Sequence, residues 1–375
     1  MKAKTYIQRL WTLDPAWGHA AWRASPAQIE RVLHVHLRTP EEPQTSLCRA
    51  LASLAVADGY QRVEWTGLSA TDRHNAIIAA AAALRPTLVF MQLQCPNAVA
   101  PGTVAELRRV AGNDRLIVIC WCGDVGGING PYSVPGDLWA YEIAVHCDLM
   151  LYASMSQVRA HRSRGMHNAA FLQIGYDEDR YFEGKDDEYG SSFDVAFLGA
   201  KYDERNWTSL PGNEAALRPI VVEAMRNQIG GRFGLFGRGW DCGVAHLPPA
   251  ESGEVYRHSH LALSISICSF LERYSSDRLL RILACGTPVL MKTFDDWGSF
   301  GLVHGENVLV WETVDDLMTL MRTWLEPVRR EVLREIGRRG ARLAREHHSW
   351  GLRMQEVYPL IATMRGASPR VTRPW

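Results

Sequence analysis

Short apolar runs alternate with longer stretches of helical periodicity in the first half of this chain. An apolar run of about four to eight residues between turn signals is typical of a buried strand, whereas apolar residues spaced three and four apart indicate an amphipathic helix. By this rule we predict strands at Arg31–Leu37, Arg62–Trp65, Thr87–Leu93, Leu116–Trp121, Asp148–Ala153 and Ala169–Ile174. The helices between them are predicted at Ser46–Asp58, Thr71–Leu84, Val104–Ala111 and Gln157–Gly165. This alternation indicates βαβ units and a parallel sheet.

The same alternation begins again after residue 192. Strands are predicted at Asp194–Leu198, Arg232–Phe236, Leu261–Ile267, Thr287–Met291 and Asn307–Trp311. Helices are predicted at Glu214–Ile229, Val314–Trp324, Pro327–Glu346 and Trp350–Ile361. Two similar open sheets that face each other form a cleft, and ligands bind there at the carboxyl ends of the strands.

The stretch between these halves predicts a linker. Residues 176–192 are polar and acidic and show no apolar periodicity, so Asp186 and Asp187 are interpreted as solvated charge rather than metal ligands. We therefore predict an N-terminal arm at residues 1–27, a first domain at 28–175, a linker at 176–192, a second domain at 193–350 and a C-terminal segment at 351–375.

Length and composition agree with two globular α/β domains. A chain of 375 residues exceeds the size at which a single core stops growing, and 47% hydrophobic residues supply ample material for two cores. Lys plus Arg and Asp plus Glu balance at 41 each, which excludes a global field for nucleic acid or membrane. The pair Cys120 and Cys122 lacks a second pair at zinc spacing, so reduced thiols are expected. No signal-peptide or membrane-spanning pattern is present, which predicts a cytoplasmic protein.

The segment from Ser275 to Lys292 carries the clearest chemical signal. We expect Ser275 and Ser276 to cap a helix that opens with Asp277, and we expect Gly286 to end it before a buried strand. The first turn of a helix presents unpaired amides and the positive end of the dipole, which suits a diphosphate.

A set of motifs in the second half carries a family resemblance. The motifs are FLGAKYDER at 197–205, FGLFGRGW at 233–240, YSSDRLLRILACGTPVL at 274–290, HGENVLVWETVDDL at 304–317 and EHHSWGLRMQEV at 346–357. In these residues the chain resembles glycosyltransferases of the GT-B fold, most closely the CgeB-like and phage-associated group. The resemblance implies an α/β fold of two facing Rossmann-like domains, with the C-terminal helix returning to the first domain.

The resemblance also implies transfer of a sugar from a nucleoside-diphosphate sugar, UDP-sugar favoured, to an acceptor hydroxyl without a metal ion or other cofactor. The donor site that it implies comprises Gly199, Lys201, Arg205, Gly237, Arg238, Trp240, Ser275, Ser276, Asp277, Arg278 and Arg281. Retaining relatives carry Glu where Arg281 and Arg273 stand in this chain, which leaves the stereochemical outcome open. Arg281 is expected either to face the diphosphate or to lie on the helix surface.

Two residues of the first half are candidates for a catalytic base. Asp124 follows the strand Leu116–Trp121 in a glycine-rich turn, where a carboxylate at the strand end faces the cleft. The alternative is a turn residue that bonds only its own backbone. His36 ends the first strand, and a buried structural histidine is the alternative for it. Asp295, Asp296 and Trp297 are candidates for contact with the transferred sugar.

The acceptor is the least determined part of the prediction. A hydroxymethylated pyrimidine in phage DNA is one candidate, and it requires base flipping and a basic rim. The arginines that are candidates for this rim are Arg9, Arg23, Arg31, Arg38, Arg159, Arg162 and Arg164. Alternatives are a polysaccharide or small-molecule acceptor, a nucleotide-sugar epimerase or hydrolase, an inactive nucleotide-binding scaffold, and a two-lobed solute-binding protein.

Overall fold

The structure is a computed structural model that describes residues 31–37, 44–93, 98–112, 116–123, 140, 142–163, 165, 168–185, 189–190, 192–201, 216–240, 247, 249–266 and 268–366. Within these residues, no helix combines the length and the apolar character needed to cross a membrane.

The first half contains a six-stranded sheet in which every pair of neighbouring strands is parallel. Its strands are β1 (Val32–His36), β2 (Tyr60–Glu64), β3 (Leu88–Gln92), β4 (Ile117–Cys122), β5 (Leu149–Tyr152) and β6 (Ala169–Phe171). The spatial order is β2-β1-β3-β4-β5-β6, so the direction of winding reverses between β1 and β3. In open α/β sheets, ligands bind at the carboxyl ends of the two strands that flank such a reversal.

Helices cover both faces of this sheet. They are α1 (Thr45–Ala52), α2 (Ala70–Leu84), α3 (Pro101–Ala111) and α4 (Met155–Ser163). Side chains alternate between the faces, so that Val89 packs with α2 and α3 while Phe90 packs with α1. Strands β1, β3, β4 and β5 are buried on both sides, which explains their nearly continuous apolar sequences, whereas the edge strand β2 is only partly buried.

The second half contains a five-stranded parallel sheet. Its strands are β7 (Phe193–Leu198), β8 (Phe233–Phe236), β9 (Ser259–Ser264), β10 (Val289–Lys292) and β11 (Leu309–Trp311). The order is β11-β10-β9-β7-β8, which reverses between β7 and β9. The helices that follow are α5 (Leu217–Ile229), α6 (Pro249–Arg257), α7 (Asp277–Ala284), α8 (Val314–Trp324), α9 (Arg330–His347) and α10 (Trp350–Gly366). Two parallel sheets, each with helices between its strands, confirm the predicted α/β fold class.

The final helix, α10, packs against the first sheet and not against the second. Trp350, Met354 and Val357 are buried in the same cluster as Trp121, and the rings of Trp121 and Trp350 meet edge to face at 5.0 Å. The chain therefore returns to the first sheet after the second one is complete.

The chain passes from the first sheet to the second near residue 176 and returns near residue 349, and these two crossings lie side by side. Tyr176 N donates to His348 O at 3.2 Å, and Trp350 N donates to Tyr176 O at the same distance. A Cβ atom on Gly175 would come within 2.7 Å of the Trp350 ring, so only glycine permits this approach. Tyr176 is itself buried, although residues 176–192 have a polar and acidic composition.

A buried polar network surrounds the second crossing. Arg353 is 1% exposed and donates to Glu356 Oε1 at 2.6 Å, to Gln173 Oε1 at 2.5 Å and to His348 Nδ1. His348 Nε2 in turn donates to Phe300 O at 3.0 Å. Burial, with the nearby Arg353 charge, holds the pKa of His348 well below its ordinary value, so this histidine is neutral.

Several helix boundaries differ from their predictions for local reasons. The first helix ends at Ala52 and not at Asp58, and α3 starts at Pro101, where proline is favoured because that position needs no amide. Helix α6 was missed, because PAESGEVYR combines proline and glycine and offers no apolar stripe to the sequence pattern.

Candidate functional site

The candidate donor site lies where the winding of the second sheet reverses. The carboxyl ends of β7 and β9 lead into residues 199–201 and 265–276, and α7 begins directly after the second of these segments. A crevice at such a reversal is the usual ligand position in open α/β sheets.

Arg278, in the first turn of α7, joins the ends of these two strands. Its Nε donates to Leu198 O at 2.5 Å, and its Nη1 donates to Ile265 O at 3.1 Å. The guanidinium lies 5.3 Å from the centre of the buried Phe197 ring, a cation–π contact. Its Nη2 has no hydrogen-bond partner among the described residues, and it lies 3.0 Å from the point where a Cβ on Gly199 would stand. Two backbone carbonyls therefore fix the guanidinium of Arg278, and its Nη2 amino group is left for a ligand.

A second arginine, Arg218 on α5, lies at the same point and was missed from the sequence. It is 2% exposed, and it donates to Ala200 O and Ile265 O, each at 2.9 Å. A signal was present, because Arg218 falls on the apolar stripe that Val221, Val222 and Met225 bury. A charged residue on the inward face of a helix indicates a specific buried partner.

The two glycine-containing motifs form one hydrogen-bonded pair of loops. Gly199 N donates to Phe236 O at 2.8 Å, and Lys201 N donates to Arg238 O at 2.9 Å. Trp240 Nε1 donates to Gly199 O at 2.7 Å. The structure thus brings together five of the predicted donor residues, namely Gly199, Lys201, Gly237, Arg238 and Trp240, while Arg205 lies outside the described residues.

The glycines are required by the contact between these loops. Gly237 has φ of 139°, and a Cβ there would stand 2.3 Å from Gly199 O. Gly239 has φ of 85°, and its Cβ would stand 2.6 Å from Lys201 O. Close approach of backbone to backbone explains both residues.

Replacing Gly237 by alanine should destabilise the second half by roughly 1–3 kcal/mol, because both the backbone conformation and the contact become strained. Chemical unfolding measures this loss. Gly231→Ala is the matched control, because nothing lies within 4 Å of its Cβ position. Equal free energies of unfolding for the two variants would show that the contact with Gly199 O does not require glycine at position 237.

The predicted start of α7 is confirmed in position, because Ser276 is the N-cap residue and the helix opens with Asp277, but the predicted capping bond is absent. Ser276 has the extended conformation of an N-cap residue, but its side chain makes no capping hydrogen bond. Its Oγ accepts from Arg278 Nη1 at 3.4 Å, and Ser275 Oγ donates to Ser276 O at 3.2 Å. The hydroxyls are turned to the arginine and to the local backbone, so they do not occupy the first-turn amides.

Arg281 forms an ion pair on its own helix. Its Nη2 lies 2.5 Å from Asp277 Oδ2, its guanidinium lies 5.2 Å from the Tyr181 ring centre, and its side chain is 16% exposed. Arg273 likewise pairs with Asp296, at 2.5 Å, and both of these residues have positive φ, 57° and 58°. Each arginine at a position where retaining relatives carry Glu therefore has a carboxylate beside it.

In the first half, the crevice between β1 and β3 contains a buried polar cluster. His36 is fully buried, and its ring centre lies 4.7 Å from that of His34, because residues two apart in a strand share a face. His34 Nε2 donates to Gln92 Oε1 at 2.9 Å, and the Tyr60 hydroxyl lies 3.0 Å from His34 Nδ1. Cys48 Sγ lies 3.9 Å from His36 Nε2. The other candidate base, Asp124, lies outside the described residues.

Acidification is expected to destabilise the fold through His34 and His348. Burial, with His36 nearby, holds the pKa of His34 well below the ordinary value of 6.5. Burial, with Arg353 nearby, likewise holds the pKa of His348 well below that value. The unfolded chain takes up these protons below pH 6.5 and the native state does not, so stability falls as the pH drops from 7 to 5. The expected loss is roughly 4 kcal/mol for the two groups. Burial raises the pKa of Glu356, which acts in the opposite sense.

Urea unfolding at pH 5, 6 and 7 measures this dependence. His348→Gln should flatten the curve by about half. A free energy of unfolding that stays constant across this range would contradict the neutral, buried state of both histidines.

The described part of the chain contains no group of three or more His, Cys, Asp or Glu residues placed to hold a metal ion. Cys120 and Cys122 are buried in the core of the first sheet and form no disulfide. The three rim arginines that the structure describes have partners within the chain: Arg31 bonds Arg85 O, Arg162 bonds Ala169 O and Arg159 pairs with Glu272. Arg9, Arg23, Arg38 and Arg164 lie outside the described residues.

Comparison with known proteins gives a family match within the second half and a match to solved structures over most of the chain. Residues 218–358 match the family described as glycosyl transferase-like, a segment that includes Arg218, the loop at 237–240 and helix α7. The sequence has no significant match among curated proteins.

Solved structures of similar architecture cover most of this chain. The structure of Anabaena Alr3699/HepE in complex with UDP has a TM-score of 0.57 at 11% identity, covering 89% of this chain and 100% of that one. Sucrose-phosphate synthase from Thermosynechococcus elongatus has a TM-score of 0.56 at 11% identity, with 88% and 98% covered. A glycosyltransferase from Rickettsia africae has a TM-score of 0.58 at 10% identity, with 91% and 100% covered. At these identities the likeness shows the GT-B fold.

Proposed function

We propose that the protein is a glycosyltransferase that moves a sugar from a nucleoside-diphosphate sugar, UDP-sugar favoured, to an acceptor hydroxyl. The observation that carries the proposal is Arg278. It stands at the start of α7, at the reversal point of the second sheet, with one amino group left unbonded among the described residues. Arg278 and α7 fall inside the segment that matches the glycosyl transferase-like family, residues 218–358.

The leaving diphosphate is stabilised by fixed positive charge in this proposal. Arg278 Nη2 lies beside Gly199, and Lys201 and Arg238 carry two further charges on the adjoining loops. Donors that are already held in place cost no reorganisation as charge develops on the leaving group. No metal ion takes part in the proposed reaction.

The first half supplies the acceptor side. For an inverting transfer, a base takes the proton of the acceptor hydroxyl while that oxygen bonds the anomeric carbon and the diphosphate leaves with the former bonding electrons. Asp124 and His36 are the two proposed bases. His36 belongs to the buried cluster at β1 and β3, where Gln92 bonds the imidazole of His34 and the two histidine rings lie 4.7 Å apart.

For the acceptor, the resemblance to the CgeB-like and phage-associated group suggests a hydroxymethylated pyrimidine in phage DNA, and action in the cytoplasm of the host. This part rests on the sequence resemblance, since the described rim arginines already have partners within the chain.

The donor assignment is tested by incubating the protein with radiolabelled UDP-glucose and related donors. We expect release of UDP and stabilisation of the fold against heat by UDP. Absence of both with every nucleoside diphosphate would refute the assignment. Transfer to duplex DNA containing hydroxymethylcytosine, and not to plain duplex, decides the DNA acceptor.

The base is tested by two substitutions made in parallel. Asp124→Ala and His36→Gln are each expected to retain UDP binding, and the one that removes the base should lower turnover by about 10²–10⁴-fold. Turnover unchanged in either variant removes that residue as the base.

A further inference from the structure

Glu272, in the loop before α7, is bonded to the first half through all of its polar groups. Its carbonyl accepts from Met155 N at 3.0 Å and from Ser154 Oγ at 3.2 Å. Its amide donates to Ser156 Oγ at 3.0 Å. The backbone of this residue therefore caps the start of α4, a helix of the other sheet.

The carboxylate of Glu272 completes the contact. It accepts from both terminal nitrogens of Arg159 on α4, with Nη2 to Oε1 at 2.7 Å and Nη1 to Oε2 at 2.6 Å. Paired parallel hydrogen bonds fix the relative orientation of the two groups as well as their distance. A small apolar cluster lies beside the pair and joins the same two parts of the chain through Ala153, Cys268, Leu271 and Tyr274.

The next residue, Arg273, is bonded to the second half instead of the first. Arg273 N donates to Asp295 O at 2.9 Å, and Arg273 Nε donates to Asp296 Oδ2 at 2.5 Å, so this residue is held by the second half. Its φ of 57° turns the chain sharply between the two sets of bonds. Helix α7 begins at Asp277, only four residues further on. A displacement of α4 relative to the second sheet would therefore be transmitted to the start of α7 through the short, constrained segment at residues 272–277.

We propose that the Arg159–Glu272 ion pair is a positioning device that holds the start of α7 in its donor-binding geometry and makes that geometry depend on contact between the two halves. Glu272 acts through Ser275, Ser276 and Arg278 and is a positioning residue. This inference rests on the proposed donor site.

The test compares Arg159→Met with Arg109→Met. Arg109 forms an exposed ion pair with Glu106 within the first half and serves as the matched control. We expect Arg159→Met to raise the Kd for UDP and the KM for UDP-sugar about fivefold, with kcat changed less than about twofold. Amides of residues 275–280 should exchange with solvent about fivefold faster, while the unfolding midpoint stays within about 2 °C. Arg109→Met should change none of these quantities.

Charge reversal separates positioning from a merely structural role. Glu272→Arg alone should weaken UDP binding more than Arg159→Met, and combining it with Arg159→Glu should restore most of the affinity. Unchanged exchange at residues 275–280 in Arg159→Met, or failure of the combined variant to recover affinity, overturns the inference. If the unaltered protein binds no nucleoside diphosphate, the proposed function fails, and the exchange measurement alone then decides for or against the coupling.

Discussion

Replacing Arg278 by alanine is expected to weaken UDP binding by roughly 1.5–3 kcal/mol, about 10- to 150-fold in Kd. The side chain holds Leu198 O and Ile265 O together and leaves Nη2 for a phosphate oxygen, so the substitution removes both the charge and the geometry of the crevice. Because the charge on the leaving diphosphate grows during transfer, turnover should fall further, by about 10²–10³-fold in kcat. Calorimetric titration with UDP and steady-state kinetics measure the two effects.

Two further variants make this result specific. Arg278→Lys keeps the charge but cannot bridge two carbonyls, so we expect it to recover little affinity. Arg232→Ala removes an exposed arginine that pairs with Asp194 in the same half and should leave UDP binding unchanged. Affinity in Arg278→Ala equal to that of the unaltered protein would show that the diphosphate binds elsewhere.

Replacing Arg353 by methionine is expected to cost about 3–5 kcal/mol of the free energy of unfolding. The substitution leaves Glu356 without its cation in a largely buried site, and it also removes the donors to Gln173 and His348. The pKa of Glu356 is already raised by burial and should rise further. A carboxyl whose native pKa is raised stabilises the fold fully at a pH below its ordinary pKa, and this stabilisation is lost as the pH increases. The loss of unfolding free energy in Arg353→Met should therefore be larger at pH 8 than at pH 5.

Urea unfolding at the two pH values measures the deficit. Arg339→Met removes an exposed pair with Glu335 on α9 and is expected to cost less than about 0.5 kcal/mol. A comparable, small loss in both variants would show that the network around the second crossing does not stabilise the fold.

Much of the fold follows from local periodicity. The central strands are buried on two faces, which produces apolar runs such as residues 87–93 and 116–121 that a pattern can detect. Helix α6 could not be found this way, since its nine residues carry no apolar stripe. The packing of α10 on the first sheet was implied only by the family resemblance, because it depends on contacts between residues more than two hundred positions apart, such as Trp121 and Trp350.

The sequence indicates several residues that come together at the candidate site, but not how they bond. Glycine-rich turns after strands and a polar helix start are sequence features, and the structure brings Gly199, Gly237 and Arg278 together. The bonds of Arg278 to Leu198 O and Ile265 O, and the place of Arg218 beside it, depend on the order of strands in space. The same holds for Ser276, whose hydroxyl faces Arg278 because that guanidinium is fixed by distant carbonyls.

The position of α10 has a consequence for how the chain is assembled during synthesis. One face of the first sheet is covered by α1 and by Trp350, Met354 and Val357 of this last helix, so that face cannot close until those residues have left the ribosome. The second sheet, by contrast, is complete once α9 has been made. The part of the protein that is translated first is therefore the last to finish folding, and a fragment cut within residues 176–192 would expose the apolar surface that α10 covers unless residues 350–366 were supplied in trans.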